Sequence, residues 1–163
     1  MAKRDGQGIK REKSEAMKQT EERNSARSRI ENQIKELRHR LHICPEISGQ
    51  ERKTKAALKQ FLEESTNLEL YDCGGGFYAA YRSSMPEQAK KGVAFRADYD
   101  ALALPEGGAA HLCGHDGHAS ALCGAALLLE QQIKEGQEPG RNVFFLFQPA
   151  EEAATGAMQV LEQ

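Results

Sequence analysis

Three stretches decide the fold: GVAFRAD (residues 92–98), ASALCGAALLLEQQIKEG (119–136) and RNVFFLFQPA (141–150). The first is a short apolar run ending in charge, the pattern of a buried strand that runs into a loop. The second carries an apolar helical face and stops at Gly136. The third is a second buried strand, and EEAATGAMQVLEQ (151–163) after it reads as the opening of another helix. Strand, helix, strand is a βαβ crossover, which implies a partly parallel sheet covered by helices.

Further towards the N-terminus, Ile30, Ile34, Leu37 and Leu41 form a one-sided apolar stripe at helical spacing, with Glu31–Lys35 and Glu36–Arg40 as i,i+4 pairs on the other face. Pro45 stops that helix, CPEISGQ (44–50) is the turn, and a second amphipathic helix runs from about Glu51 to Glu64, burying Ala57, Leu58, Phe61 and Leu62. NLELYDC (67–73), GGG (74–76) and FYAAYR (77–82) read as strand, turn and strand, a hairpin. Tyr99 to Gly117 reads as irregular. Residues 1–29 are polar on every face and are expected to be a disordered extension, leaving residues 30–163 as the folded domain.

Composition narrows the function. The 163 residues hold 39% hydrophobic side chains, enough for a core, and a net charge of −2 gives no global attraction to nucleic acid or an acidic membrane. Residues 1–29 are locally basic, nine Lys/Arg against five Asp/Glu, so a nucleic-acid arm with salt-sensitive binding is the alternative reading of that segment. No apolar leader or membrane-length run is present. Cys44, Cys73, Cys113 and Cys123 show no compact disulfide spacing, so reduced thiols in a cytoplasm are expected. Cys44, Cys73 and Cys123 read as small core residues, and His39 and His42 as helix-surface or helix-end residues.

Three donor-rich clusters fall at strand ends or helix starts: Arg96-Ala-Asp98-Tyr-Asp100, HLCGHDGH (111–118) and Gln148-Pro-Ala-Glu151-Glu152. In open α/β sheets, ligands collect outside the carboxyl ends of strands, where these clusters can converge. Cys113 and His115, separated by one glycine, can face the same side, and a thiolate with an imidazole suits Zn, Co, Ni or Mn once carboxylates are added. Glu151 and Glu152 are expected to begin a helix after Pro149, where the dipole favours anions. Adjacent side chains diverge, so one can coordinate an ion while the other faces a water whose pKa the ion lowers from about 15.7 towards 7. Asp98 and Asp100 could fix an imidazole tautomer or coordinate directly. Each feature has a plainer reading by itself: a chance C-x-H pair, first-turn glutamates, turn-forming aspartates, His118 as a first-turn helix residue, and His111 as a structural or solvent-facing one. The coincidence of all three segments favours a metal site.

FRADYDALALPE, HLCGHDGHASAL, FLFQPAEE and the turn LHICPEISGQE together resemble the M20 metallopeptidase family, and within it the amidohydrolases that cleave N-acyl amino acids, hippurate and auxin–amino acid conjugates. The resemblance covers roughly Leu41 to Gln163. It implies a three-layer α/β/α zinc-peptidase-like catalytic domain holding two divalent metal ions (Zn, Mn, Co or Ni) and often a homodimer. It also implies Cys113, His115 and Glu152 as metal ligands, Glu151 as general base and Asp100 as the residue that orients a ligand. Asp98 and His118 match motif positions as less firmly assigned ligands. The implied reaction is hydrolysis of the amide bond of a small N-acyl amino acid. The family is more than twice this length, the link from ALALPE to HLCGH is short, and Ala103 interrupts the usual Asp-Ala-Leu-Pro run. The chain is therefore expected to be the N-terminal part of such a domain with an incomplete sheet. The alternative function is that of a truncated, non-catalytic fragment with at most a partial metal site.

Overall fold

The structure is a computed structural model, which describes residues 6–85 and 91–162, with side chains in the first helix described from Ser14 onward except at 16 and 19. Residues 1–5 of the polar lead-in and Gln163 lie outside the described residues.

The decisive βαβ unit is present as β3 (Gly92–Asp98), α3 (His115–Lys134) and β6 (Asn142–Gln148). β3 and β6 pair in parallel, Gly92 opposite Asn142 through Asp98 opposite Gln148. Before them come α1 (Gly6–His42), α2 (Arg52–Ser65) and the antiparallel hairpin of β1 (Glu69–Cys73) and β2 (Gly76–Tyr81). β2 pairs antiparallel with β6, so the sheet order is β1-β2-β6-β3 and the sheet is mixed. β6 takes an inner place because VFFLF offers apolar side chains to both faces.

Val143, Phe145 and Phe147 of β6, Phe77 and Ala79 of β2 and Ala97 of β3 point to one face and meet Leu58, Phe61 and Leu62 of α2, Leu37 and Leu41 of α1, and Ala119, Leu122, Cys123 and Ala126 of α3. Phe77 stacks on Phe147 with ring centroids 4.6 Å apart. Burying each such large apolar side chain contributes about 1.5–3 kcal/mol, which is what orients the helices on the sheet. Tyr71, Tyr78 and Phe144 form an aromatic row on the opposite face. α4 (Gly156–Leu161) reaches that face at one end, where Val160 lies against Gly76.

Four details depart from the sequence reading. α1 starts at Gly6 rather than Ile30, because the intervening stretch holds no proline and is rich in Ala, Glu, Lys, Arg and Gln, all good helix formers. α3 starts at His115 rather than Ala119: Gly114, with φ +79°, makes the left-handed turn that sends the chain from Cys113 straight into the helix. Tyr99–Gly117 is not wholly irregular, since β4 (Leu102–Ala103) and β5 (Ala109–Ala110) form a short antiparallel hairpin. Glu151 and Glu152 do not begin a helix. They sit in a turn, with Ala150 and Ala154 at φ +49° and +54°, and α4 begins only at Gly156. The Ala150 carbonyl accepts the amides of Thr155 (3.2 Å) and Gly156 (3.1 Å), closing the chain back on itself.

Candidate metal centre

The carboxyl ends of the parallel strands β3 and β6 and the start of α3 meet at one point. There the Nε2 of His115 stands 3.8 Å from Glu151 Oε2 and 3.9 Å from Glu152 Oε1. Ligand atoms of the three residues lie within 4.8 Å of one another, the one such cluster of three or more His, Cys, Asp or Glu among the described residues. Glu152 Oε1 is buried and has no hydrogen-bond partner. A buried carboxylate oxygen without a donor, aimed at an imidazole nitrogen, is costly unless a cation completes it. The donor set, one imidazole and two carboxylates, suits a divalent ion of the zinc or manganese type.

Behind this cluster, Asp100 is almost completely buried. Its Oδ1 is 3.0 Å and its backbone O 3.1 Å from His115 Nδ1, so the ring donates from Nδ1 and presents Nε2 to the glutamates. The other oxygen, Oδ2, accepts the Glu152 amide at 3.0 Å and the Ser48 hydroxyl at 2.7 Å. One carboxylate therefore ties β3, α3 and the turn after β6 together.

Cys113 is exposed at the rim. A hydrogen bond from its thiol to the Glu152 carboxylate, some desolvation and the charges of Glu152, Glu151 and Asp100 all raise its pKa. Its sulfur is outside the tight trio. Asp98 and His118 pair with each other, His118 Nδ1 lying 3.4 Å from Asp98 Oδ2 and 3.3 Å from its amide nitrogen. Arg96 joins them, bonding Asp98 through Nη2 and Gln148 Oε1 through Nε at 2.8 Å. The His115 and His118 ring centroids are 6.5 Å apart, so this polar network lies beside the trio.

Several participants escaped the sequence reading. Ser48 and Glu51 contact the site residues from the α1–α2 turn, Glu51 accepting the Ala150 amide at 2.8 Å. His42 stands at the end of α1 as expected, and there its Nδ1 is 2.9 Å from Asp116 Oδ2, with Arg38 Nε 3.3 Å from the same oxygen. Burial works to raise the Asp116 pKa, but the bonds from His42 and the Gly117 amide with the charges of His111 and Arg38 outweigh it and hold the group below the usual carboxylate range. His111 is buried rather than solvent-facing, and burial first, then repulsion from His42 and His115, lowers its pKa. Cys73 and Cys123 are buried as expected, whereas Cys44 is exposed because the turn at Pro45 carries it out of the core.

With this geometry in hand, the class of protein is clear. Residues 94–163 match the model of peptidase family M20/M25/M40, and the chain belongs to that family. Among its relatives, the N-acetyl-L-cysteine deacetylase of Bacillus subtilis is 37% identical over 147 residues, 83% of this chain and 34% of that protein. An N-acetylcysteine deacetylase of the same organism is 36% identical over 77% of this chain and 35% of its own length. A crystal structure of a Bacillus subtilis protein, described as a dinuclear metal-binding peptidase of the M20 family, superimposes with a TM-score of 0.67 at 36% identity. That match covers 85% of this chain and 40% of the other. The chain spans about a third of the length of the curated relatives it matches.

Proposed function

We propose that this chain carries the water-activating half of a metal-dependent amidohydrolase acting on N-acyl amino acids, with His115, Glu152 and Cys113 as ion ligands and Glu151 as general base. The observation that carries it is the convergence of His115 Nε2 with the two glutamates, backed by the Asp100 carboxylate on Nδ1. A divalent cation held there supplies a Lewis acid that polarises the amide carbonyl and acidifies water. Asp100 keeps the His115 tautomer with Nε2 free to coordinate. Glu151 is the more exposed of the two glutamates, so it can take a proton from water as the oxygen bonds to the carbonyl carbon. It then hands the proton to the amine as the C–N bond breaks, releasing a carboxylic acid and a free amino acid. Asp98 and His118 flank this centre, with His118 Nδ1 accepting the Asp98 amide at 3.3 Å. The deacetylase relatives make N-acetyl amino acids, N-acetylcysteine among them, the first substrates to try.

The test is hydrolysis of N-acetyl amino acids with added Mn, Co or Zn, by this chain and by a version extended to its relatives' length. Glu151→Gln should reduce turnover at least about 100-fold, the range of general-base loss. Absence of turnover in the extended protein rejects the reading. A second reading, metal binding without turnover by the 163-residue chain, is favoured by the size of the donor cluster: three converging residues suffice for one ion, whereas the structural relative is described as dinuclear. Metal analysis separates the two, because two tightly held ions per chain would contradict the second reading.

A further inference from the structure

The turn between α1 and α2 reaches the candidate metal centre at three points, and none of its residues belongs to the donor set. The Ala101 amide donates to the Glu46 carbonyl at 2.9 Å, and Ile47 bridges Ala101 in parallel. The Ser48 hydroxyl donates to Asp100 Oδ2 at 2.7 Å. Glu51, only 7% exposed, accepts the Ala150 amide at 2.8 Å across 99 residues of chain. Glu51 occupies the N-cap position of α2 yet makes no capping bond to its own helix. Its carboxylate is turned instead towards the segment that carries Glu151 and Glu152.

That segment needs an outside hold. Ala150 lies in the left-handed region at φ +49°, a conformation that a non-glycine residue keeps only where its surroundings over-determine it. Glu151 and Glu152 are like charges whose oxygens sit within 4.8 Å of each other and of His115. In the absence of an ion their repulsion works to open the turn. Glu51 fixes the amide before the pair, and Asp100, braced by Ser48, fixes the amide of Glu152.

We propose that Ser48 and Glu51 are positioning residues: they hold Asp100 and the 149–152 turn so that His115 and the two glutamates stand at ion-binding separation before an ion arrives. The inference rests on the metal-centre reading above.

The test uses the full chain with Co(II) as the probe ion. It compares the parent with Ser48→Ala, Glu51→Ala, Glu51→Gln and His115→Ala by cobalt titration followed in the visible spectrum, by amide hydrogen exchange of the metal-free chain, and by thermal melting. Glu51→Ala and Ser48→Ala should each weaken cobalt binding about 10- to 100-fold, the usual effect of losing a residue that orients ligands. The Ala150 amide should exchange about 10-fold faster or more in Glu51→Ala, and the Glu152 amide likewise in Ser48→Ala, while Phe145 and Phe147 in β6 stay protected. Glu51→Gln keeps an acceptor oxygen and should recover both properties. Parental exchange at Ala150 and Glu152 in both alanine variants overturns the proposal, as does a Glu51→Gln variant no better than Glu51→Ala. If the parent binds no cobalt, or His115→Ala binds it as well as the parent, the metal-centre reading fails, and exchange in the metal-free chain still decides the positioning role. Should Glu51→Ala not fold, Ser48→Ala and Glu51→Gln carry the comparison.

Discussion

Asp100 is the residue on which most of the candidate site depends. It accepts from His115, Ser48 and the Glu152 amide while almost fully buried, so removing its side chain leaves the Ser48 hydroxyl and the Glu152 amide without their partner and His115 with only the Asp100 backbone carbonyl. Asp100→Ala should cost several kcal/mol, at about 1–3 kcal/mol for each buried group left unsatisfied. A thermal melt of the metal-free chain measures this, and a titration should show ion affinity reduced beyond what Ser48→Ala alone causes. An unchanged melting temperature would contradict the hub role. The candidate donors His115, Glu151 and Glu152 stand out in the sequence because histidine and paired carboxylates are gathered there into short segments at a helix start and a strand end. Ser48 and Glu51 do not, since a serine and a glutamate in a turn carry no pattern. Their partners, Asp100 and Ala150, are brought to them by tertiary folding across 52 and 99 residues.

At the scale of elements, the βαβ unit was legible because its apolar runs have the right lengths and order, while the turn after β6 was not. Alanines 150, 153 and 154 are good helix formers, and local propensity alone extends a helix back to Glu151. The turn wins because the chain packs back on Pro149: a Cβ on Gly156 would lie 1.6 Å from the Pro149 carbonyl oxygen. Gly156→Ala should therefore force the turn open, costing about 1–3 kcal/mol and weakening ion binding with it, read by melting and titration. A neutral result would mean that the turn tolerates a different path. The α2–β1 connection offers a pH test. Glu130 of α3 accepts the Asn67 amide at 3.2 Å and its side chain Nδ2 at 2.6 Å, with Lys134 Nζ 3.3 Å away. Burial works to raise the Glu130 pKa, but the Asn67 and Lys134 hydrogen bonds and the Lys134 charge outweigh it, leaving it below its ordinary 4.5. A carboxylate depressed by folding stabilises fully above that ordinary value and loses its contribution as pH falls through the lower folded value. Glu130→Gln should be less stable than the parent at pH 7, and the gap in melting temperature should narrow as pH falls below about 4. A gap that stays constant with pH would assign the loss to packing alone.

At the scale of the whole molecule, the core sits between one face of the sheet and α1, α2 and α3, and the site lies at its upper edge, where the parallel pair β3–β6 ends. The long first helix divides accordingly. Its last part, with Leu37 and Leu41 completely or nearly buried, is core, whereas the first buried side chain among its described residues is Ala26. The apolar stripe that begins at Ile30 was legible for that reason, and the helical continuation back to Gly6 was not, because no apolar stripe in the sequence marks it. Such an extension takes its helical shape from propensity and from propagation out of an already nucleated, packed segment, which needs no partner surface. Among the described residues the Arg23–Glu135 ion pair joins this part to the body at 3.3 Å, with the Arg23 side chain 60% exposed, and an exposed pair of this kind contributes about 0–1 kcal/mol. Deleting residues 1–22 should accordingly lower the helical circular dichroism signal while shifting the melting temperature by no more than about 3 °C. Cobalt affinity should stay at the parental value, since none of the donors or their supports lies before Arg38. A large fall in melting temperature on this deletion would mean that the N-terminal part of α1 is bound to the domain after all.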